Sequence, residues 1–144
     1  MDLLKLTGLE FLQAMERGEI PKATIAETIP MDGVLAEKGR IVMEAKANDR
    51  HLNPLGQVHG GFAATVLDAV TGCAVHTMLE PRTGFGTVDL NIKMMRPVPL
   101  ETKLLAEGKI INMSKSLGVA EGTLKDEAGK LYAHATATCK IFKF

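Results

Sequence analysis

Residues 57–68, QVHGGFAATVLD, bring a histidine, two glycines and a carboxylate together at the start of an apolar run. The run after His59-Gly60-Gly61 is helix-like, and the first N–H groups of a helix have no partner within it. They point outward at the positive end of the helix dipole. Glycine lets a ligand approach that backbone closely. Free amides of this kind suit a developing oxyanion. The same glycines also read as a helix entry that simply needs glycine geometry. Asp68 stands in the middle of the run, where a buried, ionised and unpaired carboxylate would cost free energy. Two readings are open: a structural aspartate bonded to a neighbour or facing solvent, or a catalytic base. As a base it would have its pKa raised by an apolar wall, so that it works near neutral pH. Asn53 lies six residues before His59 and Asp68 nine after it, which makes the pattern more specific than His-Gly-Gly alone.

Other chemistries find less support. His51, His59, His76 and His134 show no HExxH or paired Cys-His spacing, so no metal site is expected, and no cofactor. His76 and His134 read as lone structural or surface histidines. Cys73 and Cys139 lie far apart and read as buried, inert thiols. No GxSxG elbow is present for a serine nucleophile. Met94, Met95 and Met113 read as core filling, though flexible methionine also suits an acyl pocket.

These residues need a scaffold, and 144 residues suit a single domain, 1–144, with 1–20 as an N-terminal helical extension. The net charge of zero gives no pointer to nucleic acid or to an anionic membrane. The N-terminus carries no apolar run suited to a signal peptide or a membrane span, and cysteine usage fits a reducing cytoplasm. LTGLEFLQAMERGE reads as a helix with a Thr7/Glu10 capping box and a stop at Gly18. ATIAETIPM and GRIVMEAKAND read as strands, the second with Ile41, Met43, Ala45 and Ala47 on one face. A long helix follows over roughly 60–79, apolar nearly all round. Val88, Leu90, Ile92 and Met94 share one face of the next strand. Two neighbouring strands come after it, and a last strand presents Leu131, Ala133, Ala135, Ala137, Cys139 and Ile141 on one side. Period-two alternation implies a half-buried antiparallel sheet, here of about five or six strands wrapped round one helix, an α+β architecture. On the helix, Phe62, Val66 and Val70 make a bulky stripe for the sheet. Gly60, Ala64, Asp68, Gly72 and His76 make a mostly small stripe that lets a second helix or a ligand come close.

NPLGQVHGGFAATVLD followed by GTVDLNIKMMRPVP resembles the hotdog-fold acyl-CoA thioesterases of the phenylacetate-pathway (PaaI-like) type. The resemblance extends from about residue 35 to the C-terminus. It implies a hotdog fold, hydrolysis of a thioester to free acid and coenzyme A, and a homotetramer built as a dimer of dimers. It implies that the Gly60 N–H polarises the thioester carbonyl, with Asn53 near that carbonyl. By the same likeness Asp68 activates water or attacks directly, Thr87 helps place the water, and His59 positions loop or substrate. Lys93, Arg96 and Lys115 are candidates for coenzyme A phosphates, or else solvated strand ends.

Gly60 and Asp68, eight residues apart, lie roughly 12 Å apart along one helix. Groups serving one carbonyl must lie within about 3 Å of the reacting atoms. Two antiparallel copies about a two-fold axis satisfy both conditions, giving a homodimer with two shared sites. The competing readings are a non-catalytic acyl-CoA-binding or regulatory module, and a hotdog dehydratase or hydratase. A carboxylate beside a thioester argues against the first. The second relies on a histidine and a carboxylate in another motif context, and no such motif is seen.

Overall fold

The computed structural model describes all 144 residues. Helix α1, Gly8–Glu16, begins at the expected capping box: the Thr7 N–H donates to Glu10 at 2.8 Å, and the Glu10 N–H donates to the Thr7 hydroxyl at 3.2 Å. It ends where Gly18 takes φ +79°, with the Glu19 N–H closing back on the Ala14 carbonyl. The segment expected as the first strand is instead a single helical turn, α2, Ile25–Thr28. Ala26 and Ile29, three apart, pack on the core, whereas Ile25 is 49% exposed. The alternation therefore has no sheet face to bury, and the helical pair wins. Pro30 holds Ile29 extended and ends the turn. Strand β1, Met31–Glu37, starts directly after it.

Besides two short 3-10 turns, Leu3–Lys5 and Asp49–His51, the remaining elements are β2 (Arg40–Ala45), α3 (Gly60–His76), β3 (Thr83–Met94), β4 (Leu104–Met113), β5 (Leu117–Asp126) and β6 (Leu131–Lys143). The six strands form one antiparallel sheet in the order β1-β2-β4-β5-β6-β3. Helix α3 lies against it. Phe62, Val66 and Val70 are buried on the sheet side as their stripe implies. Glycines on the sheet set how near the helix comes: a Cβ at Gly108 would sit 2.1 Å from the Val70 carbonyl oxygen, and one at Gly122 3.1 Å from Thr71. On β6, Ala133, Ala135, Ala137 and Cys139 are all buried, as their alternation requires. Helix α3 ends three residues short of position 79, because the Thr77 hydroxyl caps the Ala74 carbonyl at 2.6 Å and the chain tightens toward Pro81.

Strand β3 departs from its simple alternation. A bulge between Thr87 and Asp89 leaves Val88 unpaired and 63% exposed. A bulge resets which face each residue presents. Thr87 therefore lies opposite Cys139 on the helix side of the sheet, while beyond the bulge Leu90 and Ile92 pack against the core. The expected face of Val88, Leu90, Ile92 and Met94 is thus broken at its first member. It is loose at its last, since Met94 is 52% exposed. β3 is also a sheet edge, twelve residues long.

Candidate active site

Two clusters of polar groups flank α3, one at its start and one at its middle. The loop before the helix is closed by a bridge between Leu52 and Val58. Within it the Asn53 Oδ1 accepts from the Leu55 and Gln57 N–H groups at 2.9 and 3.1 Å. That carbonyl oxygen is spent on the loop, which leaves the side-chain NH₂ as the group Asn53 offers outward. The loop is anchored from below by His51, buried, with Nε2 2.7 Å from the Thr28 carbonyl and Nδ1 accepting from the Asn48 N–H at 3.0 Å. Nothing in the sequence distinguished His51 from the other histidines.

His59 is the N-cap of α3. Its Nδ1 accepts from the Gly61 N–H at 2.8 Å. One helix-start donor is thereby satisfied, and the Gly60 N–H, a residue earlier, has no partner. A Cβ at Gly60 would lie 2.9 Å from the sulfur of Met94, the flexible end of a half-exposed side chain that can move aside. His59, Gly60, Met94 and Arg96 line a cleft of about 310 Å³. Arg96 is held at its edge by a 2.5 Å bond from Nη1 to the Leu131 carbonyl.

The second cluster lies two turns along the helix. The Thr87 hydroxyl donates to Asp68 Oδ1 at 2.9 Å and lies 3.8 Å from the Cys139 sulfur. The bulge in β3 is what turns Thr87 toward the helix. Both Asp68 and Thr87 are exposed, so the apolar wall expected around the carboxylate is not supplied by the protomer itself. Burial, with the Asp68 carboxylate and Cys139 adding to it, pushes the Cys73 thiol up to about 12. Burial also pushes Cys139 up. Neither is a thiolate nucleophile near neutral pH.

The structure thus joins Asp68 to Thr87, and His59 and Gly60 to Arg96, with Asn53 in the loop just before. It does not bring these two groups together within one chain. Lys93 is exposed on β3 opposite His134, three residues before Arg96. Lys115 is not near them. It stands in the β4–β5 turn, in a depression with Met78 at the far end of α3, a helix of seventeen residues or roughly 25 Å. His76 packs between Phe11 and Phe85, and burial lowers its pKa. His134 faces Glu121 at 3.3 Å. No helix is long and apolar enough to cross a membrane.

A six-stranded antiparallel sheet cradling one long helix, with a glycine at the helix start and a carboxylate at its middle, is the hotdog arrangement. The chain belongs to the thioesterase superfamily: residues 55–133 match that family's model. Acyl-coenzyme A thioesterase 13 of Homo sapiens is 30% identical over 106 residues, covering 73% of this chain and 75% of its own. A phenylacetic acid degradation-related protein from Ralstonia eutropha JMP134 is 32% identical and superposes with a TM-score of 0.83, over 90% of this chain and 98% of that one. A Streptococcus mutans UA159 protein solved with acetyl CoA shares the fold at 24% identity and a TM-score of 0.72, over 78% of this chain and 89% of that one. This protein is a hotdog-fold thioester hydrolase.

Proposed function

We propose that the protein hydrolyses acyl-CoA at a site shared by two antiparallel protomers. The single observation that carries this is the separation of its two halves. The Thr87–Asp68 pair and the unpartnered Gly60 amide lie on one helix, eight residues or roughly 12 Å apart, and serve one carbonyl only across a two-fold axis. The Gly60 N–H of one protomer receives the thioester oxygen, with the Asn53 amide beside it and His59 holding the helix start. In the partner protomer Thr87 donates to one oxygen of its own chain's Asp68, and the other oxygen of that carboxylate takes a proton from water. The water oxygen bonds to the carbonyl carbon, the tetrahedral intermediate collapses, and the carbon–sulfur bond breaks. Asp68 returns the proton to the coenzyme A thiolate, leaving the free acid.

The cleft beside Gly60 leads to Arg96, just past the end of β3, with Lys93 three residues earlier on that strand, which suits coenzyme A phosphates at that rim. Lys115, at the other end of the helix, reaches the same coenzyme only from another protomer. The working particle is a dimer or a dimer of dimers.

The test is complementation. Gly60→Pro and Asp68→Asn chains are each inactive as homodimers. A purified heterodimer of the two contains one site with both defects and one with neither, so it recovers about half the wild-type thiol release from an acyl-CoA. A heterodimer as inactive as its parents refutes the shared site. Binding of acyl-CoA by the wild type without turnover assigns the chain to the non-catalytic module instead.

A further inference from the structure

A second cavity, of about 430 Å³, lies on the other flank of α3. Its roof is Leu12 and Met15 of α1 with Ile25 and Ala26 of α2, and its floor is Ala69 and Cys73. Ala69 is the residue after Asp68, and the Asp68 charge reaches the Cys73 thiol in the cavity wall. The size falls within the range of small-molecule pockets, about 300–1,000 Å³.

The ionisable side chains of the lining, besides Cys73, are Lys22, which is paired with Asp32, Glu16, which stands beside Gly33, and His76, whose pKa burial lowers. Burial raises the Glu16 carboxyl, which suits an apolar neighbourhood. Aliphatic and methionine side chains dominate the lining, and Met15, Met31 and Met43 can adapt to a flexible chain.

We infer that this cavity is the acyl chamber and that its occupant is a medium-length saturated chain. The inference rests on the shared-site reading above. Asp68 and the chamber belong to one protomer, while the Gly60 cleft that takes coenzyme A belongs to its partner. At ~30 Å³ for each methylene-sized group the 430 Å³ is an upper bound of roughly fourteen such groups. The roof lies before residue 55, outside the part shared with the family model. Chain-length preference is therefore set by the N-terminal segment, and the hydrolytic chemistry by the residues that follow.

The test is a chain-length profile from acetyl-CoA to hexadecanoyl-CoA, with phenylacetyl-CoA alongside. Each buried methylene is worth about fourfold, so kcat/KM should climb by about that factor per carbon until the chamber is full, near eight to twelve carbons. Ala26→Phe fills the roof and should lower the decanoyl-to-acetyl ratio at least tenfold. Met15→Ala, on a helix that tolerates alanine, should move the optimum toward longer chains. A flat profile, a preference for phenylacetyl-CoA, or two roof variants that leave the ratio unmoved overturns the chamber. The same panel is titrated calorimetrically onto Asp68→Asn. Decanoyl-CoA should bind more tightly than acetyl-CoA with a more negative heat-capacity change, and Ala26→Phe in that background should abolish the difference. Absent turnover with chain-dependent binding refutes the hydrolytic reading and keeps the chamber. Turnover with chain-independent binding does the reverse.

Discussion

Gly60→Pro deletes one hydrogen-bond donor while leaving the helix start intact. Gly60 is the first residue of α3, the one helical position where proline is favoured, because its N–H has no intrahelical partner to lose. His59, before it, has φ −63° and ψ 139°, the extended region that a residue preceding proline prefers. A Cβ at this position meets the Met94 sulfur at 2.9 Å, but that is the flexible end of a half-exposed side chain. Proline's smaller unfolded-state entropy favours the fold by about 0.4–1 kcal/mol, which offsets part of the cost of moving Met94. Stability should therefore change by no more than about 1 kcal/mol, or roughly 2–4 °C in Tm for a domain of this size. Loss of one oxyanion donor costs about 10²–10³ in kcat. The expected result is a folded, dimeric protein with thiol release down by that factor and coenzyme A binding kept. A Gly60→Pro protein that folds, assembles and keeps wild-type kcat removes the Gly60 amide from the mechanism.

Asp68→Asn keeps the size of the side chain but not its basicity, and should lower kcat by ~10²–10⁴ with binding retained; Thr87→Ala, which frees the carboxylate without removing it, should cost less, and near wild-type kcat in folded Asp68→Asn would make the aspartate structural. Gly108→Ala drives a methyl group to 2.1 Å from the Val70 carbonyl, a contact with helix backbone that no rotamer relieves, so it should destabilise by about 1–3 kcal/mol in denaturant titration. The Cys73 thiol, raised to about 12, should react with iodoacetamide at pH 8 roughly a thousandfold more slowly in the native than in the unfolded protein. In the unfolded chain this thiol ionises from an ordinary value near 9, so the folded state holds more protons between there and about 12. Stability should fall as pH rises through that window, and Cys73→Ala should flatten the fall.

The helix and the two positions on it that the proposed site uses were legible because they rest on local rules. An apolar run of that length, a glycine pair at its start and a lone carboxylate within it need no tertiary information. The strand faces of β2 and β6 were readable for the same reason: Ile41 and Ala45 turn inward on β2, and Ala133, Ala135, Ala137 and Cys139 alternate without interruption on β6. What escaped was non-local. The turn of helix at Ile25–Thr28 owes its form to a core that Ala26 and Ile29 reach only after the sheet has closed. The bulge at Thr87/Asp89 leaves no mark in the period-two pattern, yet it aims Thr87 at Asp68. Asn53 was legible as a candidate, but not the task the structure shows, which is to hold its own loop with the carbonyl oxygen. Lys115 shows the opposite limit. A basic residue was grouped with Lys93 and Arg96 by type alone, and the fold sends it to the other end of the helix.

The protomer leaves its own chemistry uncovered. Asp68 and Thr87 are exposed, the twelve-residue edge strand β3 has no partner on its outer side, and Val88 and Met94 on it are 63% and 52% exposed. An unpaired edge of that length is a template for another strand, and oxyanion stabilisation gains its strength where water is shut out. A second copy meets both needs at once. If Gly60 of one helix faces Asp68 of the other, the axis passes near the position midway between them, Ala64, which then meets itself. Its small side chain allows the helices to approach to the usual 8–10 Å. Ala64→Glu places two like charges at that axis, while costing a half-exposed helix position little in propensity. The variant should unfold at nearly the wild-type temperature once measured as a monomer. By light scattering it should have half the wild-type mass or less, and it should release no thiol from acyl-CoA even though every catalytic group is still present. An Ala64→Glu protein that is monomeric and fully active would mean that one chain brings Gly60 and Asp68 to the same carbonyl, against the 12 Å that separates them on a helix.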